Sequence, residues 1–77
     1  TGTVYIGTVE GLIVSSDADR LDLAIYNSGP GTLFIGPSGA TFYPIAPDGQ
    51  MALSFRGALY GSADQPDTLV RWLALKL

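Results

Sequence analysis

The chain has 77 residues, 47% of them hydrophobic and 14% charged, and seven acidic against four basic side chains give it a net charge of −3. A composition this apolar excludes a disordered segment, and a domain this small has room for one thin core and no deep cleft. Because it has no cysteine and no histidine, Cys/His zinc sites, cysteine nucleophiles and Ser-His-Asp triads are excluded within one copy.

The distribution of charge and hydrophobicity bears on two further classes of partner. The four basic residues, Arg20, Arg56, Arg71 and Lys76, are scattered, so no basic stripe is present to bind nucleic acid. No apolar run reaches the roughly 18 residues of a membrane span. We therefore expect neither direct nucleic-acid binding nor a membrane partner.

Eight short segments between Gly- and Pro-rich turns have the composition or alternation of β-strands. In chain order they are residues 3–9, 11–15, 20–26, 32–35, 41–45, 50–55, 58–62 and 68–77. No segment has the 3.6-residue period of an amphipathic helix. The pattern predicts an all-β fold, a small antiparallel β-sandwich or barrel of about seven to eight short strands, in one domain over residues 1–77.

The turns between these segments carry specific predictions. Residues 20–26 alternate, with Leu21, Leu23 and Ile25 on the predicted buried face. The Gly- and Pro-containing turn at residues 27–31 then predicts a hairpin with residues 32–35. In the turn at residues 47–49, Pro47 fixes φ and Gly49 is expected to adopt the positive φ.

The last segment is apolar on both faces. Its two sets of alternating residues are Leu69, Leu73, Leu75 and Leu77 on one side and Val70, Trp72 and Ala74 on the other. Such a strand is central between two layers or covered by another chain; the alternative is a β-bulge that swaps the faces midway. In a domain with one thin core, cover by another chain is favoured, and it predicts a homo-oligomer, a dimer or a trimer, with Trp72, Leu73, Leu75 and Leu77 at the interface.

The N-terminal segment, residues 1–9, is rich in β-forming residues and uncharged. It is either the first strand of the sandwich or an arm that adds a strand to a neighbour through main-chain hydrogen bonds. On the second interpretation Thr3, Tyr5 and Ile6 contact the partner.

Side chains that could carry chemistry are few. Asp17, Asp19 and Asp22 offer oxygens to Ca²⁺ but lack the other ligands of an EF-hand loop, and a solvated turn explains them as well. Asp64 with Asp67, or Glu10 with an aspartate, could form a carboxylate pair, but a chain this short cannot build the apolar pocket that such catalysis needs. We expect no enzyme activity, no metal and no cofactor.

Aromatic residues offer one more contact surface. Phe42 and Tyr43 are adjacent and point to opposite faces of their predicted strand, so one of the two is expected to be exposed. Exposed rings such as Tyr43 or Trp72 can stack on sugars, although aromatic side chains in small β domains more often pack in the core. The turn at residues 36–39 has the glycines of a phosphate loop but neither a lysine nor a following helix.

Several turns and short strands occur in a characteristic order. They are Leu23-Ala24-Ile25-Tyr26-Asn27-Ser28-Gly29, Leu33-Phe34-Ile35-Gly36-Pro37-Ser38-Gly39, Pro44-Ile45-Ala46-Pro47-Asp48-Gly49, Gly57-Ala58-Leu59-Tyr60-Gly61-Ser62-Ala63 and Val70-Arg71-Trp72. In this order they resemble a small β-sandwich module of structural proteins of tailed bacteriophages. The resemblance covers residues 21–75, and Asp48 lengthens by one residue a turn that passes directly from Pro to Gly in the module.

The resemblance implies a virion structural protein without enzyme activity. It favours a capsid decoration (cement) protein that binds the major capsid protein on the outer surface of the capsid and stabilises the shell. Two alternatives remain open: a head or tail adaptor or fibre-anchoring module in the same setting, and a carbohydrate- or receptor-binding module of another class.

Overall fold

The computed structural model describes residues 2–76 and forms eight strands from them. They are β1 (Gly2–Ile6), β2 (Gly11–Val14), β3 (Arg20–Asn27), β4 (Leu33–Gly36), β5 (Tyr43–Ile45), β6 (Gln50–Leu53), β7 (Leu59–Ala63) and β8 (Thr68–Lys76). Within the described part of the chain there is no helix long and apolar enough to cross a membrane.

The strands form two four-stranded antiparallel sheets. Sheet A has the order β1-β8-β3-β6 and sheet B the order β2-β7-β4-β5. Each sheet turns one face inward, and the two inward faces share a single aliphatic core. The prediction of a small all-β antiparallel sandwich is confirmed.

Alternating side chains explain why these segments pack as they do, because successive residues of a strand point to opposite faces. The residues that are at most 3% exposed in the core come from both sheets and are aliphatic: Ile6, Leu23, Ile25, Leu33, Ile35, Leu59 and Val70. Small residues make room for the side chains of neighbouring strands in the same sheet. A Cβ at Gly61 of β7, for example, would lie 2.7 Å from Cδ1 of Ile13.

The predicted hairpin between β3 and β4 is wrong. β3 lies in sheet A and β4 in sheet B, so the turn between them carries the chain across the core. The side chain of Asn27, fully buried, holds this crossover: its Nδ2 donates to the carbonyls of Gly31 and Ile45, both at 2.9 Å, and its Oδ1 accepts the N–H of Gly29 at 2.8 Å. The turn residues were identified correctly, but they serve an inter-sheet connection.

The start of β3 also differs from its alternation pattern. The pairing of β3 with β8 shifts register between Arg20 and Asp22. Leu21, predicted on the buried face, is 41% exposed, whereas Arg20 is only 1% exposed. The guanidinium of Arg20 donates to the carbonyls of Ser15 and Phe55 and also to that of Gly57, at 2.8 Å. These bonds satisfy a buried cation and close one end of the sandwich.

The turn that precedes β6 has its strained residue one position earlier than predicted. Asp48, not Gly49, has the positive φ, 65°. The N–H of Gly49 donates to the carbonyl of Ala46 at 2.8 Å, and the N–H of Asp48 donates to the carbonyl of Asn27 at 2.7 Å. Aspartate tolerates this conformation better than most residues because its short polar side chain bonds locally.

The interpretation of the last segment as a strand with a face-swapping β-bulge is wrong as far as residue 75. β8 lies between β1 and β3, and its register with β3 is continuous from Leu75 to Val70, so no bulge in β8 swaps its faces. Val70 is buried in the core, with Trp72 and Ala74 packed against it, whereas Leu73 and Leu75 are 45% and 53% exposed. Leu77 lies outside the described residues.

The buried amide of Asn27 provides a test of the crossover. Asn27→Ala removes the partner of two carbonyls and one N–H inside the protein, and unsatisfied buried groups of this kind lower the free energy of unfolding by roughly 2–4 kcal/mol. Urea unfolding followed by circular dichroism measures the loss. Gln65→Ala, which removes an exposed amide, is the control and should change stability little; equal stability of the two variants would contradict the role given to Asn27.

Candidate functional site

The outer face of sheet A is formed by rows of register partners. Leu73 of β8 lies beside Ala24 of β3, which lies beside Ala52 of β6. The two alanines form a depression on one side of Leu73, because neither has side-chain atoms beyond Cβ. Together with Leu75 these residues line a shallow groove of about 280 Å³. On the outer face of sheet A, the side chains of Leu73 and Leu75 thus project beside a depression at Ala24 and Ala52.

The polar residues of the same face lie on the two sides of this row. Asp22 is the register partner of Leu75, and its Oδ1 accepts the hydroxyl of Ser54 at 2.7 Å. On the other side, Arg71 of β8 is the register partner of both Tyr26 and Thr3. The apolar row is therefore bordered by one carboxylate and one guanidinium.

Tyr26 donates its hydroxyl to Oδ1 of Asp48 at 3.1 Å. This hydrogen bond and the negative charge of Asp48 raise the pKa of Tyr26 above its ordinary value of 10.0, while the nearby Arg71 acts in the opposite direction. Tyr26 and Asp48 thus present an aromatic ring and a carboxylate as one unit next to Arg71.

The N-terminal candidate residues are divided between the surface and the core. Gly2–Ile6 pairs with β8 over five register positions, so this segment is a strand of sheet A. Thr3 is exposed and Tyr5 is 67% exposed, but Ile6 is only 2% exposed and belongs to the core. Ile6 is therefore not available to a partner while the sandwich is intact.

Trp72 also lies on the inner side of its strand. Its indole covers Gly2, at which a Cβ would meet the ring at 2.6 Å, and it packs against the core. This arrangement matches the packing role expected of aromatic residues in small β domains more closely than a sugar-stacking platform.

Phe42 and Tyr43 are both exposed, at 80% and 59%. The prediction that one of the two would be exposed is wrong, because β5 begins only at Tyr43 and Phe42 precedes it. Tyr43 borders an almost wholly apolar groove of about 250 Å³ at the open side of the sandwich between β5 and β6, where it is joined by Met51 and Phe55.

The candidate carboxylates are used within turns. Oδ1 of Asp17 accepts the N–H of Asp19 at 3.0 Å, the local bond expected of a solvated aspartate turn. Oδ1 of Asp64 accepts the N–H of Thr32 at 2.8 Å. Among residues 2–76 no three acidic side chains come together as metal ligands would.

The carboxylate of Glu10 binds the glycine turn at residues 36–39. It accepts the N–H of Gly39 at 2.8 Å and the hydroxyl of Ser38 at 2.9 Å. These are the kinds of donor that a phosphate loop presents to its ligand, and here an acidic side chain of the same chain occupies them.

Sequence reasoning identified Leu73 and Leu75 but missed Ala24, Ala52 and Arg71, which complete the same face. Alanine carries no hydrophobic signal strong enough to mark a site. Only the register of three strands brings these residues together.

No family model, no curated protein and no solved structure matches this chain at a significant level. A function must therefore be argued from the surfaces of the chain itself.

The Tyr26–Asp48 pair gives a pH-dependent test. Asp48→Asn keeps a residue that tolerates positive φ and removes the charge, so the pKa of Tyr26 should fall toward its ordinary value. Because the pKa is raised in the folded state, the stability from this contact is present below pH ~10 and is lost as the pH rises through the raised pKa. NMR titration of the tyrosine ring carbons measures the pKa. Asp64→Asn is the control, and an unchanged Tyr26 pKa in Asp48→Asn would contradict the assignment.

Proposed function

We propose that the chain is a structural protein of a tailed-phage virion, a capsid decoration protein that binds the major capsid protein on the outer surface of the shell. The resemblance over residues 21–75 suggests this setting. The observation on which the binding role rests is the free edge of β1. A chain of this kind acts by adhesion and needs no catalytic residue.

β1 is the terminal strand of sheet A and pairs only with β8. Natural edge strands are usually protected by lysine, proline, inward-pointing charges or bulges. Residues 2–9 contain no charged residue and no proline. An unprotected edge of this kind is suited to accept a strand from a neighbouring protein, with affinity from main-chain hydrogen bonds and selectivity from alternating side chains.

The position of β1 defines how this binding would occur. An arm that left the sandwich would have to withdraw Ile6 from the core and break five register positions with β8. We therefore propose that β1 stays in sheet A and offers its outer edge, with the exposed Thr3 and Tyr5 beside the added strand. Removal of residues 1–6 would take a core residue with it.

Stabilisation of a shell by such a protein follows from mass action, since each bound copy favours the assembled state. A head or tail adaptor would use the same edge but would be present in few copies. Copy number in the particle separates these two roles.

The test uses the particle of the phage whose genome encodes this chain. Cryo-EM and quantitative mass spectrometry should find the chain in many copies on the outer shell. In competition for undecorated shells, Tyr5→Lys should lose at least about tenfold in affinity, because a lysine on an edge strand opposes pairing. Tyr5→Lys should melt at the same temperature as the unmodified chain.

Phe42→Lys, which places the same charge at another exposed aromatic residue, is the matched control and should bind shells normally. Absence of the chain from the particle, or full affinity of Tyr5→Lys, would overturn the proposal. A handful of copies at one vertex or in the tail would replace decoration with the adaptor role.

One observation favours a second candidate function, binding of a carbohydrate. Phe42 and Tyr43 expose two adjacent rings, Tyr43 also lines an apolar groove, and exposed rings can stack on sugar faces. A glycan array with the unmodified chain, Phe42→Ala and Tyr43→Ala should show binding that both substitutions remove. Tyr5→Ala, at another exposed tyrosine on a different surface, is the control.

A further inference from the structure

The outer face of sheet A has a shape that fits a copy of itself. Leu73 and Leu75 project from β8 and are about half exposed, whereas the register neighbours Ala24 and Ala52 leave a groove of about 280 Å³ beside them. A projection and a depression on one surface are complementary when two copies meet around a twofold axis. Exposed leucines on a central strand also leave apolar surface that a thin sandwich cannot cover alone.

The size of the molecule is compatible with a stable pair. Its two longer dimensions are 34 and 24 Å, which is the scale of a standard-size interface that buries about 800 Å² on each partner. The charge of the face is also suited to self-association. Its strand residues include one arginine, Arg71, and one aspartate, Asp22, and the carboxylate of Asp48 is bonded to Tyr26 on the same face, so the face carries charges of both signs.

We propose that the outer face of sheet A is a twofold interface between two copies of this chain, with Leu73 of each copy packed into the Ala24–Ala52 depression of the other. The twofold axis runs parallel to the strands and lies between β8 and β3. It places each β8 residue of one copy opposite a β3 residue of the other copy, the one with which it is paired in the sheet. Leu73 then faces Ala24, and Arg71 faces Tyr26.

The charged residues are compatible with this arrangement. Each Arg71 meets a tyrosine ring whose hydroxyl is bonded to the carboxylate of Asp48, so the cation lies between a π face and a negative charge. At the rim, Leu75 lies opposite Asp22, whose carboxylate already accepts the hydroxyl of Ser54. Dimerisation through this face does not require the shell-binding role, which uses the edge of β1.

Sedimentation velocity over a range of concentrations tests the interface. The unmodified chain should form dimers at micromolar concentration. Leu73→Asp should raise the dimer dissociation constant by about 100-fold, as expected when a central anchor residue is replaced by a charge. Leu12→Asp is a matched control, because Leu12 lies on sheet B and is 45% exposed, as is Leu73.

A second variant distinguishes a specific interface from non-specific hydrophobic association. Ala24→Phe fills the depression while adding apolar surface, so a specific interface should weaken and non-specific association should strengthen. Circular dichroism and thermal melting establish that each variant is folded.

Since the chain contains no cysteine, single substitutions also report the geometry. In a mixture of Leu73→Cys and Ala52→Cys copies, a short bismaleimide cross-linker should join unlike copies. A mixture of Leu12→Cys and Ala52→Cys copies should give none.

Three outcomes would overturn the interface: a monomer throughout the micromolar range, equal effects of Leu73→Asp and Leu12→Asp, or stronger association of Ala24→Phe. A monomeric chain whose Leu73→Asp variant no longer binds shells would assign the face to the capsid protein instead. A monomeric Leu73→Asp variant that still decorates shells would leave the shell-binding proposal intact.

Discussion

One buried amide fixes the connection from β3 to β4, one of several that pass between the two sheets. Asn27 ends β3 in sheet A, yet its side chain is bonded to the carbonyl of Ile45 in sheet B and to two groups of the crossover turn. Its own carbonyl and N–H bond to the turn at residues 46–49. The relative position of β3, β4, β5 and β6 therefore depends on a side chain with no exposed surface. A small sandwich has few residues with which to fix its layers, and a satisfied polar group in the core gives directional contacts that aliphatic packing lacks.

Local features of this fold could be predicted from the sequence, and long-range ones could not. Strand positions follow from β-forming residues between glycine and proline turns, and the structure has a strand in each predicted segment. Which sheet the chain enters after the turn at Asn27 could not be predicted, since a hairpin and an inter-sheet crossover use the same turn residues. The burial of Arg20 was missed because a one-residue register shift exchanges it with Leu21, and nothing in the alternation of residues 20–26 marks that shift.

For the outer face of sheet A, too, local features could be predicted from the sequence and long-range ones could not. The two-sided apolar pattern of residues 68–77 indicated that one face of β8 would be left uncovered, and Leu73 and Leu75 are indeed exposed. The same pattern does not identify which face is uncovered. It therefore predicts Trp72 at the interface, whereas the ring of Trp72 covers Gly2. Ala24, Ala52 and Arg71 belong to the surface only through strand pairing, which is a property of the whole sheet.

The carboxylate of Glu10 has a consequence for how this sequence can evolve. It binds the backbone of Gly39 and the hydroxyl of Ser38 across 28 and 29 positions of sequence, and thereby ties the connection after β1 to the connection after β4. A change at position 10 leaves two donors without their acceptor. Loss of the Ser38 hydroxyl removes one of the two donors to the acid, whereas the N–H of position 39 belongs to the backbone and is lost only to proline. A substitution in one of the two connections is therefore expected to be accompanied by a substitution in the other. Sequences that share this fold should show covariation between position 10 and positions 38–39.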